Sequence, residues 1–238
     1  MIKVTVWNEN VQEHGLKFID PALYEGKPAL QEHFEKSARE IGKVHPNGIH
    51  NTLKGIFEED EDFVVRTVTM EMPECGLTKE VLDDTDVLVW WAHVAHNKVD
   101  DEVVDRVVKR VWDGMGLIVL HSGHLSKPFV RLMGTCCRSK WRENDEKERI
   151  WVIEPAHPIA RDLPEYIELA EEETYGERFD IPDPEEIIFL GWFKGGEVFR
   201  SGCCWNKGLG KVFYFQPGHE SNPTYFIPEV QRIISNAV

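Results

Sequence analysis

The first half of the chain alternates between strand-like and helix-like patterns of apolar residues. Apolar and polar residues alternate from Ile2 to Trp7, which is typical of a strand with one buried face. The runs Val87–Trp91 and Leu117–Leu120 are apolar throughout, like strands that are buried on both faces of a parallel sheet. Between them, valines recur every three or four residues from Asp100 to Trp112, which predicts an amphipathic helix.

Similar patterns predict elements along the remaining chain. The predicted strands are Ile2–Trp7, Val64–Thr69, Val87–Trp91, Leu117–Leu120, Ile150–Ile153, Ile187–Trp192, Val198–Ser201 and Lys211–Phe215. The predicted helices are Ala29–Ile41, 49–57, Thr78–Leu82, Asp100–Trp112 and Pro228–Ala237. Because strands and helices alternate in the first half, we expect an α/β fold of three layers, with helices on both faces of a mostly parallel central sheet. Residues 1–238 are predicted to form one such domain.

Composition and charge exclude several classes of partner. The formal net charge is −15, which argues against a nucleic-acid partner, because that recognition relies on clustered Lys and Arg. No apolar run approaches the roughly 18 residues that cross a bilayer, and the first residues do not have the pattern of a signal peptide. We therefore expect a cytoplasmic protein without a membrane partner. The five cysteines include two adjacent pairs, which favours reduced thiols over disulfides.

Histidines lie in the loops that directly follow three predicted strands: His93, His96, His121, His124 and His219. If these strands are parallel, their carboxyl ends meet at the sheet edge where doubly wound folds bind ligands. Imidazoles bind zinc and exchange protons near neutral pH. The predicted metal ligands are His93, His121, His124 and His219, with zinc as the most suitable divalent ion. Metal-free acid–base catalysis and loop histidines that only hydrogen-bond to backbone are the alternatives.

Carboxylates and aromatic residues add further candidates near these loops. Glu220 follows His219 in a Pro-Gly turn, and Glu173 belongs to an acidic segment, 171–177, that is predicted to be a loop. Catalytic roles are predicted for His121, His219, Glu173 and Glu220.

Aromatic faces beside polar groups suit sugar rings, and the predicted substrate-binding residues are Asn8, Glu9, Trp91, Trp141, Arg142 and Tyr175. Ordinary turn polarity, surface stacking and core packing are the alternatives. No glycine-rich phosphate-binding motif is present, so no nucleotide cofactor is indicated.

Seven segments of the chain resemble the ThuA family of trehalose-utilisation proteins. They occur in the expected order: Trp7–Glu9, Trp90–His96, Leu120–His124, Gly134–Glu143, His157–Pro158, Glu173–Glu177 and Pro217–Glu220. The resemblance implies a flavodoxin-like fold similar to that of class I glutamine amidotransferases. It also implies a part in the uptake and breakdown of trehalose and related disaccharides, through 3-keto-sugar intermediates.

The resemblance also bears on the chemistry of the site. In class I glutamine amidotransferases a cysteine nucleophile occupies the sharp turn after a strand, and the resemblance places His121 there. An imidazole cannot form the thioester on which glutamine hydrolysis depends, so we do not expect a functional glutamine amidotransferase. The resemblance implies an enzyme that acts on trehalose-related disaccharides or keto-sugars, with a small sugar as its partner. The alternatives are a non-catalytic sugar-binding or regulatory module and a hydrolase that uses Ser122. Domains of this class often dimerise, so a homo-oligomer is also anticipated.

Overall fold

The computed structural model of the protein describes residues 1–18, 21–58 and 60–238. In these ranges the strands are β1 (Ile2–Asn8), β2 (Phe63–Thr69), β3 (Val87–Trp91), β4 (Gly116–Leu120), β5 (Lys140–Val152), β6 (Tyr166–Gly176), β7 (Glu186–Phe193), β8 (Val198–Lys207) and β9 (Gly210–Phe215). The α-helices are α1 (Pro21–Tyr24), α2 (Pro28–Val44), α3 (Ile49–Gly55), α4 (Lys79–Asp83), α5 (Asp101–Trp112), α6 (Lys127–Met133) and α7 (Pro228–Asn236).

Five neighbouring strands are parallel, in the order β2-β1-β3-β4-β9. This order corresponds to the 2-1-3-4-5 arrangement of doubly wound sheets, with β9 in the fifth place. The strands predicted in this part of the chain are confirmed, with small differences at their ends. The carboxyl ends of β3, β4 and β9, at Trp91, Leu120 and Phe215, lie at one edge of the sheet, as the predicted site requires.

The prediction of a mostly parallel sheet is wrong, because the sheet is mixed. Beyond β9, the strands β8, β7, β5 and β6 follow in that order and pair antiparallel. Antiparallel neighbours can be joined by tight turns and need no crossover helix, as between β8 and β9. The predicted turn at Gly195 and Gly196 joins β7 to β8. The acidic segment predicted as a loop belongs to β6, where Ile167 and Leu169 point inward between exposed residues.

Helices cover both faces of the parallel strands. On one face, Leu88 and Trp90 of β3 pack with residues of α4, α5 and α6. On the other face, Val89 and Trp91 pack with residues of α2, α3 and α7. Successive side chains of a strand point to opposite faces, which explains why β3 is apolar throughout. Among the described helices, none is both long and apolar enough to cross a membrane.

Candidate functional site

The loops after β3, β4 and β9 bring three histidines together. The ring centroids of His93 and His121 lie 5.6 Å apart, those of His121 and His219 lie 5.6 Å apart, and those of His93 and His219 lie 6.0 Å apart. Glu173 of β6 lies beside His121, and Glu220 lies beside His93. We call these five residues the histidine–glutamate cluster.

His121 occupies the sharp turn between β4 and a short 3-10 helix, His121–Leu125. Its φ of 49° lies in the left-handed region, which few residues other than glycine adopt. The side chain is fully buried, and its Nδ1 donates to the carbonyl oxygen of Gln216 at 3.0 Å. Its Nε2 lies 3.1 Å from Oε2 of Glu173. These two atoms are not aligned for a hydrogen bond, and neither has a hydrogen-bond partner among the described residues.

Glu9 and Gln12 hold His93 in place. The buried carboxylate of Glu9 accepts hydrogen bonds from the two backbone amides that follow His93, at 2.7 and 3.0 Å, and so fixes the loop after β3. His93 Nδ1 lies 2.8 Å from Oε1 of Gln12 and 2.9 Å from Oε2 of Glu220. Because both partners are acceptors, Nδ1 carries the proton. The Nε2 atom is then the nitrogen that remains for a ligand or a second proton.

His219 has the opposite arrangement of ring nitrogens. The backbone amide of Ser221 donates to its Nδ1 at 3.4 Å, and the hydroxyl of Ser221 lies 2.8 Å from the same atom. A ring whose Nδ1 accepts a proton carries its own proton on Nε2. This Nε2 lies 3.9 Å from Oε1 of Glu143 and 3.8 Å from Oε2 of Glu220. Both distances are too long for a hydrogen bond, so the Nε2 proton of His219 is available to a molecule bound at the site.

Burial and charge have opposite effects on the pKa values in the cluster. Burial lowers the pKa of His93, but the carboxylates of Glu220, Glu173 and Glu9 outweigh it and raise that pKa to about 9. Burial likewise disfavours the charged form of His121, and the nearby Glu173 reverses the effect and raises the pKa above 6.5. Burial alone would raise the pKa values of Glu173 and Glu220, yet the facing imidazoles hold both below 4.5. In the metal-free protein, these pairs therefore favour the anionic forms of Glu173 and Glu220 and the charged form of His93 at neutral pH.

Three members of the cluster have the arrangement of a metal-binding group. His93, His121 and Glu173 each offer one ligand atom, and these atoms lie within 4.8 Å of one another. In both histidines the Nδ1 proton is held by an acceptor, as is usual for histidines that bind a metal through Nε2. Two imidazoles and a carboxylate are a zinc donor set, and three protein ligands leave a position for water or substrate.

A second group of metal-binding residue types consists of His157, Glu186 and Cys204. The backbone amide of Ile159 donates to His157 Nδ1 at 3.1 Å, so Nε2 carries the proton, and it lies 3.2 Å from Oε2 of Glu186. Burial raises the pKa of Cys204 to about 12, which disfavours the thiolate that binds metals. This group is therefore a hydrogen-bonded pair beside a thiol, and it is less suited to a metal ion than the histidine–glutamate cluster.

Comparison with known proteins assigns the chain to a family. The sequence model of the ThuA family, described as trehalose utilisation, matches residues 3–238. The chain belongs to the ThuA family. The resemblance inferred from the seven motif segments is thereby confirmed. No curated protein sequence matches the chain.

Solved structures share the fold of this ThuA protein. One described as a ThuA-like protein, from Parabacteroides merdae, is 14% identical, with a TM-score of 0.67 over 99% of this chain and 88% of the other. Another, from Bacteroides uniformis, is also 14% identical, with a TM-score of 0.55 over 99% of this chain and 89% of the other. The cytoplasmic protein STM3548 from Salmonella typhimurium is 11% identical, with a TM-score of 0.56 over 78% and 83% of the two chains. At these identities the similarity shows the fold alone.

Two residues predicted for the site of this ThuA protein lie apart from the cluster. His124 Nδ1 donates to the carbonyl oxygen of Cys137 at 2.6 Å, its ring packs among aromatic side chains, and burial lowers its pKa to about 4. The guanidinium of Arg142 forms ion pairs with Glu197 and Glu146 beside a separate cleft. Neither side chain contacts the three clustered histidines in the described structure.

Two other predicted residues are buried and form hydrogen bonds around the cluster. Asn8 is buried, and its amide donates to Oε1 of Glu13 at 2.7 Å. Trp91 is fully buried, and its indole nitrogen donates to the carbonyl oxygen of Gly218 at 3.4 Å. Like Glu9, both residues therefore belong to the buried framework of the site and do not lie on a surface that a substrate reaches.

Ser122 and Tyr175 form a pair beside His121. The Ser122 hydroxyl lies 2.9 Å from the hydroxyl of Tyr175, and the Tyr175 ring lies 5.6 Å from the His121 ring. Burial raises the pKa of Tyr175 well above 10.0, so the hydrogen-bond partner of Ser122 is a neutral phenol. A phenol in this form does not take a proton from serine. Tyr175, the hydrogen-bond partner of Ser122, is therefore not the general base that a hydrolytic nucleophile requires.

A cleft of about 340 Å³ opens onto the cluster. Its inner wall includes His93, Glu173, His219 and Glu220. Trp141 of β5 lies at the rim and is 65% exposed, so its ring can be reached by a bound molecule. Among the predicted substrate-binding residues, Trp141 is therefore the one that the structure places on an open surface of this cleft.

Gln12 is a member of the site that sequence patterns do not predict. Its amide nitrogen donates to Oε1 of Glu220 at 2.7 Å while its oxygen accepts from His93 Nδ1. It belongs to a short 3-10 helix, Gln12–His14, in a segment whose sequence predicts only a loop. Gln12 and Glu220 are 208 residues apart, and no local pattern signals a contact at that separation.

Proposed function

We propose that this ThuA protein is an enzyme that acts on trehalose-related disaccharides or their keto-sugar derivatives, with a divalent metal ion, zinc above all, as cofactor. The observation that carries the proposal is the meeting of His121 Nε2 and Glu173 Oε2, which are 3.1 Å apart, buried and without hydrogen-bond partners in the described structure. Buried polar atoms without partners are costly, and a bound cation offsets that cost. The family description, trehalose utilisation, supports a sugar as the substrate.

The residues of the cluster suit a zinc ion. Its ligands would be the Nε2 atoms of His93 and His121 and the carboxylate of Glu173. A zinc ion held there would polarise a sugar carbonyl or lower the pKa of a bound water molecule. The same two rings have raised pKa values without metal, so zinc binding must release protons from them.

His219 and Glu220 have complementary roles in the proposal. His219 carries a proton on Nε2 at the wall of the cleft, where it donates a hydrogen bond to an oxygen of the substrate. Glu220 is a buried anion that holds His93 and receives the amide of Gln12. Its negative charge stabilises positive charge on the imidazoles during proton transfer.

The cleft supports a small sugar as the ligand. Its volume of about 340 Å³ is at the lower end of the range for small-molecule sites, about 300–1,000 Å³. An exposed aromatic face such as that of Trp141 suits one face of a sugar ring. We place the reaction in the cytoplasm, in keeping with the description of the Salmonella typhimurium neighbour as a cytoplasmic protein.

The test is sugar turnover by protein purified without an affinity tag. The zinc-loaded protein is incubated with trehalose and with 3-keto-trehalose, and products are measured by mass spectrometry. We expect conversion of at least one sugar, and a fall in kcat of about 100-fold or more for Glu173→Gln, in line with the loss of a catalytic group. Glu168→Gln is the matched control, because Glu168 lies in the same strand but pairs with Arg149 on the surface.

Two results would contradict the proposal in different ways. Sugar binding without turnover by zinc-loaded wild-type protein would argue for the non-catalytic sugar-binding module. Turnover that survives complete removal of metal by a chelator would exclude a role for the metal, but it would support the proposed enzymatic activity.

A further inference from the structure

Glu172 is a fully buried carboxylate next to Glu173 in β6. Its two oxygens accept four hydrogen bonds. The donors are the backbone amides of Glu173 at 3.0 Å, Gly218 at 3.0 Å and His219 at 3.1 Å, and the hydroxyl of Thr224 at 2.9 Å. Both oxygens therefore act only as acceptors, as in a carboxylate that is satisfied by N–H and O–H donors.

These donors come from two parts of the chain that are distant in sequence. The amide of Glu173 lies in β6. The other three donors lie in the segment between β9 and α7, which also carries Glu220. Two of the four bonds go to the backbone amides of Glu173 and His219 themselves. A single side chain thus links the proposed metal ligand, Glu173, to the proposed hydrogen-bond donor, His219.

We propose that Glu172 is a positioning residue that sets the distance and orientation between Glu173 and His219. The inference rests on the proposed function of these two residues. It does not assign Glu172 a contact with substrate or metal. Charge-assisted hydrogen bonds are roughly twice as strong as neutral ones, so four of them restrict the backbone of both segments.

Glu148 of β5 offers a matched contrast, because it is another fully buried glutamate close to Glu172. Its carboxyl group receives the hydroxyl of Ser201 at 3.2 Å and, with the side-chain amide of Gln216 turned towards it, that nitrogen at 2.9 Å. Burial raises the pKa of Glu148 well above 4.5, so a glutamine resembles the native protonated form. Within the described residues, Glu148 forms hydrogen bonds with side chains and not with the backbone of the loop that carries His219.

The experiment compares Glu172→Gln with Glu148→Gln in the full chain. An amide at position 172 keeps one acceptor oxygen and sets an NH2 group against backbone donors. Urea unfolding first shows that each variant is folded, and zinc affinity is then measured by competition with a chelating dye. We expect Glu172→Gln to weaken zinc binding about 10- to 100-fold, as changes behind metal ligands do. Glu148→Gln should bind zinc as the wild type does, and equal affinity of Glu172→Gln and wild type would overturn the inference.

A second readout separates this inference from the proposed metal. In the metal-free protein, 15N NMR of the histidine rings reports which nitrogen of His219 carries the proton. We expect the wild type to show the Nε2–H form, and Glu172→Gln to shift the His219 signals while Glu148→Gln leaves them in place. If wild-type protein binds no zinc, the metal part of the proposed function is excluded. The NMR comparison then remains as the test of the positioning role of Glu172. Unchanged His219 signals in Glu172→Gln would then overturn the inference.

If Glu172→Gln does not fold, Thr224→Val is the alternative variant for this test. It removes one of the four donors and leaves the carboxylate in place. We expect a smaller change of zinc affinity and of the His219 signals, in the same direction. If Thr224→Val alters neither quantity, the inference is again overturned.

Discussion

At the scale of single residues, the hydrogen bond on one ring nitrogen decides what the other nitrogen can do. His93 and His121 give their Nδ1 protons to acceptors, which leaves Nε2 for a metal ion or a second proton. His219 accepts at Nδ1 and therefore donates a hydrogen bond from Nε2. The three imidazoles are thus divided into two proposed metal ligands and one proposed hydrogen-bond donor.

The charge on His93 makes the stability of the metal-free protein depend on pH. Its folded-state pKa of about 9 is above the ordinary value of 6.5, so its stabilising contribution is complete below about 6.5 and is lost as the pH rises through about 9. The contribution is on the order of 3 kcal/mol, at about 1.4 kcal/mol per pKa unit. We predict that the excess stability of wild type over His93→Gln shrinks by about this amount between pH 6 and pH 10.

Urea unfolding of chelator-treated protein at both pH values measures this difference. Titrating groups that do not interact with His93 affect both proteins alike and cancel in the comparison. An excess stability that is the same at pH 6 and pH 10 would show that His93 is not held in its charged form.

Sequence patterns go some way at this scale. They predict which strand ends carry His93, His121 and His219, because that depends only on strand direction. They do not predict the proton positions of His93 and His121, because the partners Gln12 and Gln216 are brought to these rings by tertiary packing. His124 shows the same limit, since its place three residues after His121 does not reveal that its Nδ1 donates to the backbone of Cys137.

At the scale of elements, the turns that follow the strands determine the site. The loop after β9 depends on Gly218, whose φ of 130° is rarely adopted by residues with a side chain. A Cβ atom at this position would overlap the buried hydroxyl of Tyr225. The turn therefore requires glycine for both backbone conformation and space.

We predict that Gly218→Ala lowers the free energy of unfolding by about 2 kcal/mol or more, since it combines an unfavourable φ with overpacking. Tyr225→Phe removes the hydroxyl that the new methyl group meets. The cost of Gly218→Ala should therefore be smaller when Tyr225→Phe is also present, and denaturant unfolding of the four proteins measures the coupling. The ring carbons of residue 225 would still be close to the new methyl group in Tyr225→Phe, so equal costs in both backgrounds would mean that the hydroxyl of Tyr225 does not determine the effect.

Elements are predictable from sequence where packing follows a simple period. The valine stripe of α5 and the apolar runs of β3 and β4 are buried as predicted. Most of β5 and all of β6 are missed, because both strands carry dense charge, from Lys140 to Arg149 and from Glu171 to Glu173. The alternation around Ile167 and Leu169 is the signal that identifies β6 as a strand.

At the scale of the whole molecule, the site lies where the two halves of the sheet contribute together. The parallel half supplies His93 and His121, and the loop after β9, its last strand, supplies His219 and Glu220. The antiparallel half supplies Glu173 from β6 and Trp141 from β5. A wholly parallel sheet would not provide this second wall, so the mixed topology that the sequence does not predict is what completes the cluster.

The most direct measurement is anomalous X-ray diffraction at the zinc edge, from crystals of tag-free protein grown with zinc. The expected result is a peak about 2.0–2.2 Å from Nε2 of His93, Nε2 of His121 and a carboxylate oxygen of Glu173. Absence of a peak at this cluster in zinc-saturated crystals, or a peak only at His157, Glu186 and Cys204, would contradict the proposed metal site.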